Sequence, residues 1–187
     1  FRLSTISRSV FRPLVARSMM STIHKGDCFD FYHDLKVQKA RSFDEAVDDG
    51  FEWTELKDMF KDKTVALFAL PGAFTGTCSK AHVPSWINNA DTLKGAGIDE
   101  IICVSVNDAF SLNAWSKNLD PEGTITFVAD PALNFTEAMG MKVDLTEIGM
   151  GIRSNRYSML IEEGDVRALL IFFFFFFAIF LTLCFFR

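Results

Sequence analysis

One cysteine of this chain sits where chemistry is expected. Cys78 closes the segment PGAFTGTC, residues 71–78, and leads into SKAHVP, residues 79–84. The run before it has the length of a buried strand and the stretch after it reads as a helix, so Cys78 falls at a strand-to-helix junction. Free N–H groups and the positive end of the dipole at a helix start favour the thiolate, the nucleophilic form of cysteine. Thr75, three residues earlier, carries a hydroxyl that can point into the same pocket and hydrogen-bond a bound oxygen. Pro71 has no N–H to donate and can wall off one side. An arginine from elsewhere would complete such a site by holding the thiolate and the oxygens beside it.

The other cysteines are Cys28, Cys103 and Cys184, and no two cysteines form a Cys-x-x-Cys pair or zinc spacing. A chain of 187 residues does not need a disulfide scaffold, which points to a reducing compartment. Cys103, inside the apolar run IICVSV, reads either as a small core residue or as a second working thiol. His24, His33 and His82 have no ligand-like spacing, so no metal is expected; His82 reads as a local cap or packing residue. Trp86 and Trp115 read as core or interface.

Several elements must position these groups. A short helix is expected over Trp53–Phe60 and a buried strand over Thr64–Leu70, followed by a turn at Pro71-Gly72. A helix over Ser79–Lys94 ends at Gly95 and Gly97, with Pro84 expected to kink it. A second strand over Glu100–Val106 completes a strand–helix–strand unit, the building block of a parallel sheet. Then come a helix over Ala109–Lys117, a strand over Ile125–Ala129 and a short helix near Phe135–Met139. The runs Arg156–Ile161 and Asp165–Leu169 flank Glu162-Glu163-Gly164 as a hairpin. Parallel strands first and a hairpin last suit a single thioredoxin-like α/β domain, a mixed sheet flanked by helices.

Charge divides the chain into three. Residues 1–26 hold five basic side chains and no acid; residues 27–169 hold thirteen basic against twenty-four acidic ones, a balance of −11; residues 170–187 hold only Arg187. An acidic body repels phosphate backbones, so no nucleic-acid partner is expected. The stretch Phe1–Met20, rich in Arg and Ser, has the composition of a mitochondrial or plastid transit peptide, or else of a basic tail. The chain does not start with Met; translation from Met19 or Met20 would give a cytoplasmic product. Residues 168–186 are uncharged and include six consecutive phenylalanines, Phe172–Phe177. That length just reaches a membrane span. A thymine-rich stretch of DNA read as protein gives the same pattern, which is the favoured reading of residues 170–187. The domain is therefore expected over residues 21–169, its C-terminal part aberrant.

The Pro-x-x-x-Thr-x-x-Cys pattern resembles the signature of the peroxiredoxins. The strings PGAFTGTCSKAHVPSW (71–86), CVSVNDAF (103–110), FVADP (127–131) and IRSNRYSMLIEEGDV (152–166) are similar to the type II, peroxiredoxin-five-like branch, in the family's order. The resemblance implies a thioredoxin fold and thiol-dependent reduction of hydrogen peroxide and alkyl hydroperoxides. It implies that Cys78 is the peroxidatic cysteine, that Thr75 hydrogen-bonds the peroxide, and that Pro71 shields the sulfenic acid. Arg156 matches the catalytic arginine, with Arg153 close by as the weaker candidate. Cys103, 25 residues after Cys78, matches the resolving cysteine of plant-type members. Thioredoxin, glutaredoxin or glutathione would return the enzyme to its thiol form, with no metal, haem or flavin; a homodimer is left open. Two departures stand out. Gly76 occupies a position where most relatives have proline, and after Leu169 the Phe-rich tail replaces the end of a strand and a final helix. Cys184 matches no family position. The rival reading is a non-catalytic or membrane-tethered product of a damaged gene. A thioredoxin-type oxidoreductase is disfavoured because Thr75 stands where the first cysteine of Cys-x-x-Cys would be.

Overall fold

A computed structural model describes residues 23–28, 35–40 and 53–172. The basic stretch at residues 1–20 and the tail from residue 173 onward lie outside the described residues.

The centre of the fold is β3, Thr64–Leu70, whose sequence TVALFAL is buried from its second residue to its last. A strand shows alternate side chains to opposite faces. Val65, Leu67 and Ala69 therefore join one core, and Ala66, Phe68 and Leu70 join another on the far side of the sheet. Only a central strand covered on both faces can be apolar throughout, which is why its sequence shows no alternation.

Around β3 lie β1 (Lys36–Lys39), β2 (Thr54–Glu55), β4 (Glu100–Ser105), β5 (Thr126–Ala129), β8 (Tyr157–Glu162) and β9 (Asp165–Ile171). They form a sheet in the order β2-β1-β5-β4-β3-β8-β9. The pairs β3/β4 and β4/β5 are parallel, while β1/β5, β3/β8 and β8/β9 are antiparallel. This is the mixed, thioredoxin-like sheet that the strand–helix–strand pattern and closing hairpin imply. A separate hairpin, β6 (Lys142–Leu145) and β7 (Gly151–Ser154), stands off the main sheet.

The helices are α1 (Leu56–Phe60), α2 (Val83–Gly95), α3 (Ala109–Leu119) and α4 (Asn134–Ala138). Val83, Trp86, Ala90 and Leu93 of α2, with Leu112 and Trp115 of α3, cover the face that carries Phe68 and Cys103. Leu56, Met59 and Phe60 of α1, with Phe135 of α4, cover the opposite face. Asp108 caps α3 by accepting the Ser111 N–H at 2.8 Å. Asp130 does the same for α4 from a distance, accepting the Phe135 and Thr136 N–H groups at 3.2 and 2.8 Å. Its carboxyl pKa is raised, burial outweighing those hydrogen bonds.

Four differences from the sequence reading have physical causes. The expected helix over 53–60 is shorter, because Thr54 and Glu55 pair with Val37 and Lys36 as a strand. The helix expected at Ser79 begins earlier, at Gly76, and passes at Cys78–His82 through a wider π-turn in which the Val83 N–H reaches back to the Cys78 carbonyl. Pro84 sits where this turn gives way to α2, so the disturbance expected from it appears there as a change of helix type. Finally, β9 runs to Ile171, which pairs with Tyr157, and so passes the Leu169 boundary.

Candidate active site

The site is assembled at the ends of β3 and β4. After Leu70 the chain leaves the sheet at Pro71, turns through residues 72–75, and becomes helical at Gly76. The Thr75 carbonyl accepts the Ser79 N–H at 3.0 Å, which closes the first turn. Phe74 takes a left-handed backbone, φ +59°, and is 63% exposed. That conformation costs a residue with a Cβ roughly 1–2 kcal/mol, so the loop around it must be tied down.

Several contacts tie it. The Thr75 hydroxyl donates to the Gly72 carbonyl at 2.9 Å. The Asn107 side-chain oxygen, just past β4, accepts the Ala73 N–H at 2.9 Å and the Ser105 hydroxyl at 2.6 Å. Arg153 of β7 donates from Nε to the Met150 carbonyl and from Nη1 to the Val106 carbonyl, both at 2.8 Å. A Cβ built on Gly72 would lie 3.0 Å from Arg153 Nη1, so glycine is what lets the guanidinium pack against this turn.

Cys78 is a reduced thiol, 1% exposed, at the base of the loop. Arg156, in the connection from β7 to β8, donates from Nη2 to the Cys78 sulfur at 3.3 Å. The register of β8 against β3 sets this contact, since Tyr157 lies opposite Ala69 and Arg156 precedes it at the loop end of the sheet. Of the two arginines weighed in the sequence, Arg156 reaches the sulfur, and Arg153 turns to the two backbone carbonyls.

The Arg156 guanidinium has a second partner that the sequence reading passed over. Its Nη1 makes a short hydrogen bond to His82 Nδ1. His82 is buried against Phe68, with ring centroids 5.2 Å apart, and its Nε2 lies 3.3 Å from the Trp86 indole nitrogen. A neutral imidazole has one lone pair to offer two donors. Arg156 and the Trp86 indole are both donors, so the lone pair answers one of them at a time; with it on Nδ1 the ring accepts from Arg156. The His82 pKa falls from 6.5 to about 3, first through burial and then through the adjacent Arg156 charge. The ring stays neutral, and one guanidinium spans its Nδ1 and the Cys78 sulfur. The signal in the sequence was spacing: Cys78, His82 and Trp86 recur every four residues along one helical face.

Cys103 lies on β4 opposite Phe68, fully buried on the same side of the sheet as Cys78. Burial, and then the nearby Cys78 charge, push its thiol pKa well up, with Arg156 partly opposing. Cys28 is remote from this group; it pairs as an isolated bridge with Asp165. No cluster of metal-binding side chains occurs among the described residues.

A thioredoxin-like sheet carrying a lone buried cysteine at a helix start, with an arginine on its sulfur, defines a thiol enzyme of the one-cysteine-per-loop kind. A family model described as Redoxin matches residues 36–170. The mitochondrial peroxiredoxin-2F of Oryza sativa subsp. japonica is 42% identical over 153 residues, covering 82% of this chain and 77% of the relative. Its namesake in Arabidopsis thaliana is 45% identical over 135 residues, covering 72% and 67%. Reduced Prx3 of Vibrio vulnificus in complex with hydrogen peroxide superposes with a TM-score of 0.71 at 37% identity, covering 81% of this chain and 89% of that one. Peroxiredoxin 5 of Alvinella pompejana superposes at 0.69 with 30% identity, covering 80% and 89%. The chain belongs to the peroxiredoxins, in their type II branch, and is a thiol-dependent peroxidase.

Proposed function

We propose that Cys78 is the peroxidatic cysteine and that Arg156, Thr75 and Pro71 complete the site. The observation that carries this reading is the Arg156 Nη2 contact to the Cys78 sulfur. In the reaction the Cys78 thiolate attacks the terminal oxygen of a hydroperoxide. The S–O bond forms as the O–O bond breaks, and the leaving oxygen takes a proton to depart as water or alcohol. Arg156 holds the thiolate and the oxygens. Because the Thr75 hydroxyl proton is committed to Gly72, its lone pairs face the peroxide as acceptors. Pro71 lines the loop at the end of β3 and keeps a second peroxide from the sulfenic acid.

Cys103 is the thiol we assign to resolution. It attacks the Cys78 sulfenic sulfur, releasing water and leaving a disulfide, which an external dithiol such as thioredoxin or glutaredoxin, or glutathione in two steps, reduces again. Burial pushes its thiol pKa up in the closed fold, and resolution on this reading proceeds through a local opening of the first turn after Cys78. The domain would run from about residue 21 through β9. The basic stretch Phe1–Met20 would direct the protein to an organelle, in keeping with the mitochondrial and chloroplastic names of its relatives. The test of the nucleophile is Cys78→Ser, which should consume no peroxide in stopped-flow assay; retained turnover would move the chemistry to another residue.

A further inference from the structure

We propose that Asn107 is a positioning residue for peroxide reduction: its side-chain oxygen pins the Gly72–Ala73 peptide and thereby fixes which way the Thr75 hydroxyl faces. The inference rests on the assignment of Thr75 and Cys78 to the reaction. A peptide group is planar, so its N–H and C=O turn together. Here the two ends are held from different directions. The Ala73 N–H donates to Asn107 Oδ1 at 2.9 Å, and the Gly72 carbonyl of the same peptide accepts the Thr75 hydroxyl at 2.9 Å.

The anchor is itself fixed. Asn107 Oδ1 also accepts the Ser105 hydroxyl at 2.6 Å, and Ser105 is fully buried in β4 beside β3. Arg153 packs on the same turn, since the point where a Gly72 Cβ would stand is 3.0 Å from Arg153 Nη1 and 3.6 Å from Asn107 Oδ1. The left-handed Phe74 follows directly and would favour relaxation of the loop once this tie is cut. Without Asn107 the peptide can rotate, the Gly72 carbonyl leaves Thr75, and the hydroxyl is free to present its proton instead of its lone pairs. The Asn107 side-chain oxygen bonds the Ala73 amide and the Ser105 hydroxyl, so its effect passes through Thr75.

The discriminating measurement pairs two reactions of one thiol. Peroxide reduction needs Thr75 aligned; alkylation of Cys78 by iodoacetamide does not. Asn107→Leu should slow oxidation by hydrogen peroxide at least ~10-fold, in line with the ~100-fold that an ångström of misplacement can cost, while alkylation changes less than ~3-fold. Asn107→Asp keeps the acceptor beside Arg153 and should restore most of the peroxide rate. In a Thr75→Val background, Asn107→Leu should add almost nothing. Asn107→Ser, too short to reach Ala73, serves as the second truncation should the leucine variant not fold. A peroxide rate that stays within ~3-fold of the parent, an equal loss in both reactions, or no rescue by aspartate would overturn the proposal. Loss of the Cys78 assignment would show separately, as peroxide turnover surviving in Cys78→Ser.

Discussion

His82 has a pKa near 6.5 in the unfolded chain and about 3 in the fold. Between those values the unfolded chain binds a proton that the folded chain refuses. The stability tied to a neutral His82 is therefore complete above about pH 6.5 and drains away as pH falls toward 3. Over the whole interval it amounts to about 5 kcal/mol at most, and between pH 7 and pH 5 to about 2 kcal/mol. Asp108 and Asp144, whose pKa values are lowered, lose stability only in the carboxylate range below; Asp130, raised by burial, acts with the opposite sign. Subtracting a variant isolates the histidine. His82→Asn keeps an acceptor in place of Nδ1 for Arg156 and cannot titrate. Urea unfolding followed by circular dichroism at pH 7 and pH 5 should show the parent losing about 2 kcal/mol more than His82→Asn over that interval. Equal losses, or an NMR titration of His82 with its midpoint near 6.5 in the folded protein, would refute the claim that the ring is buried neutral against the guanidinium.

Other outcomes follow from the same geometry. Arg156→Met should slow peroxide oxidation of Cys78 by about 10²–10³-fold, the cost of removing a preorganised donor, and Arg153→Met by a smaller factor, both read by stopped flow. Peptide mapping of peroxide-treated protein under non-reducing conditions should show a Cys78–Cys103 disulfide; mixed disulfides with glutathione at Cys78 alone would make Cys103 a core residue. Gly76→Pro should raise thermal stability by about 0.4–1 kcal/mol, since a Cβ at Gly76 meets nothing within 4 Å and the first helical position tolerates proline.

The parts of the molecule legible in the sequence are those where chemistry or burial forces a local pattern. The run TVALFAL could be read as a buried strand because β3 is covered on both faces. The loop of residues 71–78 drew attention because Pro71, Thr75 and Cys78 stand at the spacing of the peroxiredoxin signature it resembles. The β6–β7 hairpin was missed because it stands off the main sheet in strands of only four residues: KVDL alternates between exposed and half-buried positions, but GIRS does not, and so short a run does not announce a strand. Strand β1, KVQK, is four residues with charges at both ends. Asn107 was not legible as a neighbour of the loop, and His82 only through its four-residue spacing from Cys78, for a different reason. One acts through a backbone amide 34 positions earlier and the other through a guanidinium 74 positions later, and no local pattern announces either partner.

The sheet order also has a consequence in time. The Cys78 sulfur and the guanidinium that touches it are 78 residues apart in the chain. Arg156 reaches the sulfur only once β8 has inserted antiparallel beside β3, in the interior of the sheet and after the parallel strands β3, β4 and β5 have been made. A ribosome-bound fragment ending before residue 156 carries the whole cysteine loop with no guanidinium to complete it. The arginine half of the site is thus withheld until synthesis has passed residue 156, and a nascent chain meeting peroxide before then does so without that contact. Even the anchor of Arg156 is late, because its carbonyl accepts the Phe172 N–H at 2.9 Å, just beyond the end of β9.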